Sequence, residues 1–348
     1  MTFVTTHERP GVYSVYEAAA AVTASSRSGT AAIAAQSAGG TAGTLYTLTS
    51  YSQAAAAFGK EDPMTQLVKI LLANGAAKVL AVPVASEEDY AAAFLLLNSQ
   101  EDVKTVVCDS TTLTVQQALR DSVEEVSQLR RERIAVVGAP GEETAEALVA
   151  RAKALASPRV VLVAPAAAGE DVPGALTAAA VAGAICGEGD PALPLGGAVL
   201  QGLSGLTASY SEAELDTLIQ GGVTPVEAAG GRISVVRGVT TRTETGGAAD
   251  STWRDLSTIR IVDDVIPSLR TALRAKFRRA KNTEQSRGAI RAQVVLELEN
   301  KMSREIITGY DGVRVSADSE NPTVCVVEFS FTVAHGLNQI WLSAHITV

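Results

Sequence analysis

"VKTVVCD" (residues 103–109) and "RIAVVGA" (residues 133–139) start 30 residues apart, and the segment between them decides the fold. Each is a short run dominated by Val, Ile and other small apolar residues, which reads as a strand buried on both faces. The segment from Thr114 to Arg130 that joins them is too long for a strand and reads as a helix. A strand, a helix and a second strand of these lengths make a βαβ unit, in which the helix carries the chain back so that the two strands run parallel.

The unit repeats outward in both directions. "KVLAVPV" (78–84) precedes it and "RVVLVAP" (159–165) follows it, with helix-like segments starting at Ser86-Glu87-Glu88 and running from Gly141 to Leu155. Acidic residues crowd the first turns of these helices, where the positive end of the helix dipole favours them. The strands recur every 25 to 30 residues or so, which predicts a central, mostly parallel sheet covered by helices. Residues 164–231 are rich in Ala and Gly and read as a helix ("ALTAAAVAGAI"), a loop ("GEGDPALPLGG") and a second helix ("SEAELDTLIQGG").

After Gly230-Gly231, "RISVVRGVTTRT" leads into a different composition, which sets the expected boundary. The organisation is therefore an N-terminal arm over 1–25, a central α/β domain over 26–231, and a C-terminal α+β domain over 232–348 with a terminal strand arm at about 339–348. The first C-terminal helix shows Val262, Ile266, Leu269, Leu273 and Phe277 as an apolar stripe, with Asp263 or Asp264 as its cap and Pro267 in its first turn. Arg270, Arg274, Arg278 and Lys281 run down its other side. The second helix carries Ile290, Val294, Leu298 and Met302 at steps of four.

Two alternating runs close the chain. "VEFSFTV" sets Val327, Phe329, Phe331 and Val333 on one side. "QIWLSAHITV" sets Ile340, Leu342, Ala344, Ile346 and Val348 against Trp341, Ser343, His345 and Thr347. "AHGL" between them supplies a turn, so a hairpin is expected. The last run contains none of the Lys, Pro or bulge devices that protect a sheet edge, so either this chain or another molecule has to cover it.

At 348 residues, the chain is long enough for two domains. Apolar residues make up 47% of it and aromatics only 4%, which suits closely stacked layers of Ala, Val and Leu. The net charge of −9 opposes general nucleic-acid binding. The charge is uneven: residues 251–310 hold 12 basic against 7 acidic side chains, and residues 1–250 hold 16 against 27. A chain polarised in this way can attract copies of itself.

Cys108, Cys186 and Cys325 are too scattered for a disulfide framework or a zinc site. The N-terminus lacks a basic region followed by an apolar run, and no uninterrupted 18-residue apolar stretch occurs, so no membrane insertion is expected and the chain is expected to be made and folded in a cytoplasm.

Catalytic signatures are tested in turn. There is no P-loop pattern. Gly187-x-Gly189 follows a helical Ala run instead of a strand, and "GLSGL" around Ser204 does not complete a nucleophile elbow. Asp109 reads as a helix cap at a strand end. His7, His335 and His345 have no carboxylate, Cys or second His at relay or ligand spacing. No catalytic residue, cofactor site or metal site is expected. The rival reading is an α/β nucleotide- or small-ligand-binding protein or enzyme.

In the order of its landmarks, the chain resembles the tail sheath proteins of contractile phage tails and of related particles such as R-type bacteriocins. Arg9-Pro10-Gly11-Val12-Tyr13 is similar to the family's opening segment, Thr49-Ser50 and Phe58-Gly59 to its first helix, and "LVKILLANGAAKVLAVPV" to the run that follows. "AVAGAICGEGDPALP", Gly222-Val223, "TIRIVDDVIPSLRTALRAKF" and "GLNQIWLSAHITV" continue the likeness to the end of the chain.

The resemblance implies a non-enzymatic structural subunit of near-minimal size. It would polymerise as a helical sheath around a tail tube, between a baseplate and a tail terminator, in a virion tail or a released contractile particle. It also implies that terminal arms add strands to neighbouring subunits. The N-terminal arm would use Val12, Tyr13, Val15 and Tyr16, tethered through "TASSRSGT", and the C-terminal arm Ile340 to Val348. The face carrying Arg270, Arg274, Arg278 and Lys281 would point to the tube.

Overall fold

The computed structural model describes residues 29–141, 143–169 and 172–338. Both expected strand arms, at Val12 to Tyr16 and Ile340 to Val348, lie outside these residues, as do His7 and His345.

In chain order the elements are β1 (Thr30–Gln36), β2 (Tyr46–Leu48), α1 (Tyr51–Phe58), α2 (Pro63–Ala73), β3 (Lys78–Val84), a single 3-10 turn at Glu87–Asp89, α3 (Tyr90–Asn98), β4 (Val103–Cys108) and α4 (Leu113–Gln128). They continue as β5 (Ile134–Gly138), α5 (Ala145–Leu155), β6 (Val160–Ala164), α6 (Pro173–Gly187), β7 (Val199–Leu200), α7 (Glu212–Gln220), β8 (Val223–Ala229) and β9 (Arg232–Val235). A two-residue ladder of β10 (Glu244–Thr245) and β11 (Ala248–Ala249) and the short α8 (Ser251–Arg254) lead to α9 (Leu256–Phe277), α10 (Glu284–Ser303), β12 (Ile307–Ala317) and β13 (Cys325–Val333).

Nine strands form one sheet in the order β2-β3-β1-β4-β5-β6-β8-β9-β7. The six from β3 to β8 are parallel, and β2, β9 and β7 add antiparallel edges. All four strands expected from the βαβ rhythm are present as β3, β4, β5 and β6. β1, "TAAIAAQ", was not anticipated, because Ala is depleted in strands. It is inserted between β3 and β4, and its first six residues are all buried.

Successive side chains point to opposite faces, so Ala31, Ile33 and Ala35 join one core while Ala32 and Ala34 join the other. Helices α1, α2 and α6 cover the first face, and α3, α4, α5 and α7 the second. α6 is buried nearly all round between sheet and α2. Only small residues allow that proximity: a Cβ on Gly183 would lie 2.7 Å from both the Asn74 Cβ and the Leu71 carbonyl oxygen.

The boundary expected after Gly231 falls in the turn of the β8–β9 hairpin, where Gly230 and Gly231 both have positive φ. The Gly pair marks a turn inside the sheet, not a linker. The chain stays with the central body as far as Thr241, which binds Ser157 through its hydroxyl and its main chain binds Val160.

The C-terminal region differs from expectation in two further ways. Helix α9 begins seven residues before its aspartate pair, at Leu256, and Asp255 caps it by accepting from the Ser257 N–H at 3.1 Å. Asp263 and Asp264 are therefore interior, and so is Pro267. The buried stripe is Ile261, Val265 and Leu269, with Leu273 partly buried beside it, while Val262, Ile266 and Phe277 are only half-buried.

Val294 and Leu298, two of the residues set at steps of four on α10, are buried with that stripe in one core, and Met302 packs partly buried against it. The described partner of "VEFSFTV" is β12 upstream of it, paired antiparallel to β13. β12 was not foreseen because Gly309, Gly312 and the charged Asp311 and Arg314 break its alternation, and its ladder shifts register at those same places.

Candidate interaction surfaces

The first place to look on such a sheet is the crevice at the strands' C-terminal ends between β1 and β4, where the connections leave toward opposite faces. Doubly wound folds bind ligands there, usually with a phosphate held on backbone N–H groups. Here the loop after β1 wraps one of the chain's own carboxylates. Asp62 Oδ2 accepts from the Ser37 hydroxyl at 2.9 Å and from the N–H groups of Ala38 at 3.0 Å and Gly39 at 3.3 Å. Its other oxygen caps α2 through the Met64 N–H at 2.9 Å, and the residue is buried.

Beside it, Asp109 accepts from the Gln36 N–H at 3.0 Å and from the Tyr90 hydroxyl. Burial pushes this carboxyl above its usual range, with the two hydrogen bonds opposing. Burial and the facing carboxylate also raise the Tyr90 phenol. Asp109 thus ties β1 to α3 and is not the helix cap expected from sequence; Thr112 stands at that position for α4. The donors that could recognise a ligand in this crevice are already bonded within the chain.

The opposite end of the sheet is more open. An open cleft of about 1070 Å³ runs between the N-terminal ends of β1, β3 and β4, the α4–β5 turn and α9, and its walls carry seven cations and four carboxylates. Arg133, 1% exposed, spans its floor and donates to the carbonyls of Leu97 at 3.0 Å and Gln100 at 2.8 Å. Burial and the neighbouring Arg131 bring its guanidinium down to about 10, so it remains charged at neutral pH.

Three ion pairs weld α9 to its surroundings there. Arg159 holds Asp263 with two bonds of 2.8 Å, Arg270 holds Glu132 with its closer bond at 2.7 Å, and Lys301 of α10 holds Asp264. Burial raises the Asp263 carboxyl against the pull of Arg159. Burial also opposes the charged form of Glu132, but the Arg270 hydrogen bond and charge outweigh it and hold that carboxyl below its usual range. One turn earlier, the buried Arg260 donates to the carbonyls of Leu193 and Asp190, both at 3.0 Å, and so locks α9 to the loop after α6.

The basic row expected on α9 is therefore divided. Arg270 faces the central body and is bonded to it, and Arg274 is on the cleft margin. Arg278 stands at the helix C-cap and Lys281 in the turn beyond, both exposed. The ion pairs through Asp263 and Asp264 were missed because adjacent carboxylates near a presumed helix start looked like caps. No sequence spacing links them to Arg159 or Lys301.

The third surface is the β12–β13 ribbon. It is a separate two-stranded sheet, and none of the nine residues of β13 is fully buried. Val327, Phe329, Phe331 and Val333 rest on the small core formed by Ile261, Val265, Leu269, Val294 and Leu298. The outer rim of each strand has no neighbour among the described residues. The chain leaves the ribbon past Gly336, where a Cβ would meet the Pro194 ring at 2.5 Å, so the path toward residue 339 runs against the α6–β7 loop.

Comparison with known proteins agrees with this architecture. Residues 84–241 match the phage tail sheath protein central domain, and residues 248–347 the phage tail sheath C-terminal domain. The chain is 26% identical over 268 residues to the tail sheath protein of Bacillus phage SP01, a match covering 72% of this chain. The chain spans 44% of the length of that curated relative.

Among solved structures, it superposes on a chain of the anti-feeding prophage baseplate with a TM-score of 0.75, at 17% identity and covering 98% and 100% of the two chains. It also superposes on the helical sheath of the anti-feeding prophage in its contracted state, with a TM-score of 0.72, at 16% identity and covering 99% of each. By its two consecutive domain matches, the chain belongs to the phage tail sheath family.

Proposed function

We propose that this chain is the subunit of a contractile sheath. It polymerises as a helical tube around an inner tail tube and contracts by rigid-body rotation of subunits that stay linked through exchanged strands. The observation that carries this reading is the contrast between a sealed central body and a β12–β13 ribbon with both rims open among the described residues. A two-stranded sheet is marginal alone and gains stability when strands are added to it. The alternating run at Ile340 to Val348 has the pattern such an added strand needs, and Val12 to Tyr16 supplies a second short run rich in Val and Tyr.

At about 3.3 Å per residue, the nine residues from Ile340 span roughly 30 Å, enough to reach a neighbouring subunit. A head-to-tail exchange of this kind is heterologous and does not close on itself, so it generates a tube. The ligand-binding alternative has less support, because the crevice where it would operate is filled by Asp62.

A tube-facing role fits Arg278 and Lys281, with Arg274 at their edge. Arg270 is committed to Glu132 and does not fit. The partners are further copies of the chain, a tube protein, and baseplate and terminator proteins. The location is a virion tail or a released contractile particle.

Electron microscopy and size-exclusion chromatography of the full chain beside one ending at Gln339 test the reading. Tubes or stacked rings from the first and folded monomers from the second are expected. Polymers of equal yield from both would refute the arm role. Replacing Arg278 and Lys281 with Glu should leave sheath polymers but abolish assembly around tube, and normal tube-filled particles would remove the tube-facing assignment.

A further inference from the structure

The two ends of the parallel sheet are charged oppositely, and the polarity of the fold accounts for it. Helices that return between parallel strands all start at the strands' C-terminal end and finish at their N-terminal end, so their dipoles favour acids at the first and cations at the second. β3 shows this within one segment: it begins on Lys78 and runs out into Glu87, Glu88 and Asp89.

These three acids are exposed, and none of them forms an ion pair among the described residues. Glu87 accepts from the Thr112 hydroxyl at 2.6 Å, and Asp89 from the Ser86 N–H at 2.9 Å. Such bonds orient the carboxylates without cancelling their charge. At the other end, Lys78, Lys104 and Arg130 line the open cleft and likewise form no ion pair. The ends of β3 are roughly 20 Å apart, more than two Debye lengths at physiological salt, so each end presents its charge independently of the other.

We propose that the cleft at the N-terminal end of the sheet receives the Glu87–Asp89 ridge of a second copy of this chain, so that bodies stack head to tail along the strand direction. The inference rests on the sheath reading and adds a contact between bodies to the strand exchange. Charge complementarity selects the occupant: the ridge carries three carboxylates that form no ion pair among the described residues, and the cleft walls carry three more cations than carboxylates. The chain's own N-terminal segment, which joins the body at the cleft wall through Gly29, is poorly matched, because residues 1–28 hold Glu8 and Glu17 against Arg9 and Arg27. Exposed, screened pairs of this kind fix register and speed docking more than they hold it. That suits a contact made and remade between two lattices.

The test uses full-length chains. One carries Lys78→Glu, Lys104→Glu and Arg130→Glu; a second carries Glu87→Lys, Glu88→Lys and Asp89→Lys; a third carries all six. Far-ultraviolet circular dichroism checks folding, and the milder single changes Lys78→Glu and Glu88→Lys replace either triple that fails it. Polymer yield is read by sedimentation and microscopy at about 50 mM and about 500 mM salt. Each reversed variant alone should give at least about tenfold less polymer at low salt, equivalent to 1.4 kcal/mol. An equimolar mixture of the two should copolymerise, and the six-fold variant should recover self-assembly.

Wild-type yield from either reversed variant would overturn the contact while leaving the sheath reading in place, and so would absence of rescue in both the mixture and the six-fold chain. Loss of tube binding alone, with sheath polymer intact, would assign the cleft to another protein and overturn the inference. Failure of the wild-type chain to polymerise at all would remove the sheath reading and this inference with it.

Discussion

In β5 all five residues are buried, whereas in β13 none of nine is. Both strands are rich in Val or Phe, and both lie in the same chain. β5 has a strand on either side and helices above and below, so its side chains are buried within the chain's own two cores. Among the described residues, β13 has one neighbour and one covered face. The difference separates a part of the molecule enclosed on all sides from a part with an open rim among the described residues, and the proposed strand exchange falls on the second.

Truncating the two cores should expose the contrast most strongly. Leu71→Ala, in the fully buried α2 seam, should cost about 3 to 4 kcal/mol by urea unfolding of the monomer. Phe331→Ala on the ribbon, where that side chain is only half-buried, should cost less than about 1 kcal/mol in the monomer yet, on the proposed strand exchange, lower polymer yield. Equal losses in the monomer would erase the distinction.

Next in size is the weld between the two regions. Arg159→Ala strands the Asp263 carboxylate and should cost about 3 kcal/mol, read as a lowered urea midpoint. A separate early transition of the C-terminal region would sharpen the comparison, and an unchanged midpoint would contradict the role given to the pair. Asp62→Ala should cost about 2 kcal/mol, because it leaves the Ala38, Gly39 and Met64 N–H groups without their acceptor. The variant should also become stabilised by inorganic phosphate in thermal unfolding while the parent chain does not. A phosphate response in the parent would mean that the crevice is open.

The smallest effect concerns pH. Glu132 is held below its usual range in the folded chain, so its contribution is present above the ordinary carboxylate pKa and is lost as pH falls through the folded value. Glu132→Gln should therefore be slightly less stable than the parent at pH 7, by under about 1 kcal/mol, and the two should converge under acid conditions. A gap that widens on acidification would reverse the sign assigned to that pair.

The central sheet was legible because Val-rich runs at regular spacing have few other uses, and β3, β4, β5 and β6 all fell where that rhythm put them. β1 was not legible, since an Ala-rich run says little about strand or helix until its neighbours are known. The same holds for Gly230-Gly231, where a hairpin turn and a linker look alike in sequence. On α9, the stripe was displaced because the real cap, Asp255, stands upstream of an apolar run that is buried on several sides. The arginine row looked uniform in sequence, but Arg270 was already claimed by Glu132, 138 residues earlier. Long-range pairing of this kind leaves no periodic trace.

The Ala- and Gly-built interior has a mechanical side. Ala gives up no rotamer freedom on burial and Gly has no side chain to repack, so α6 and its neighbours have few alternative internal arrangements to adopt under load. A body with so little internal slack passes force on without absorbing it. When such a body is displaced, the motion has to appear at its surface, as it does between the stiff links of a chain.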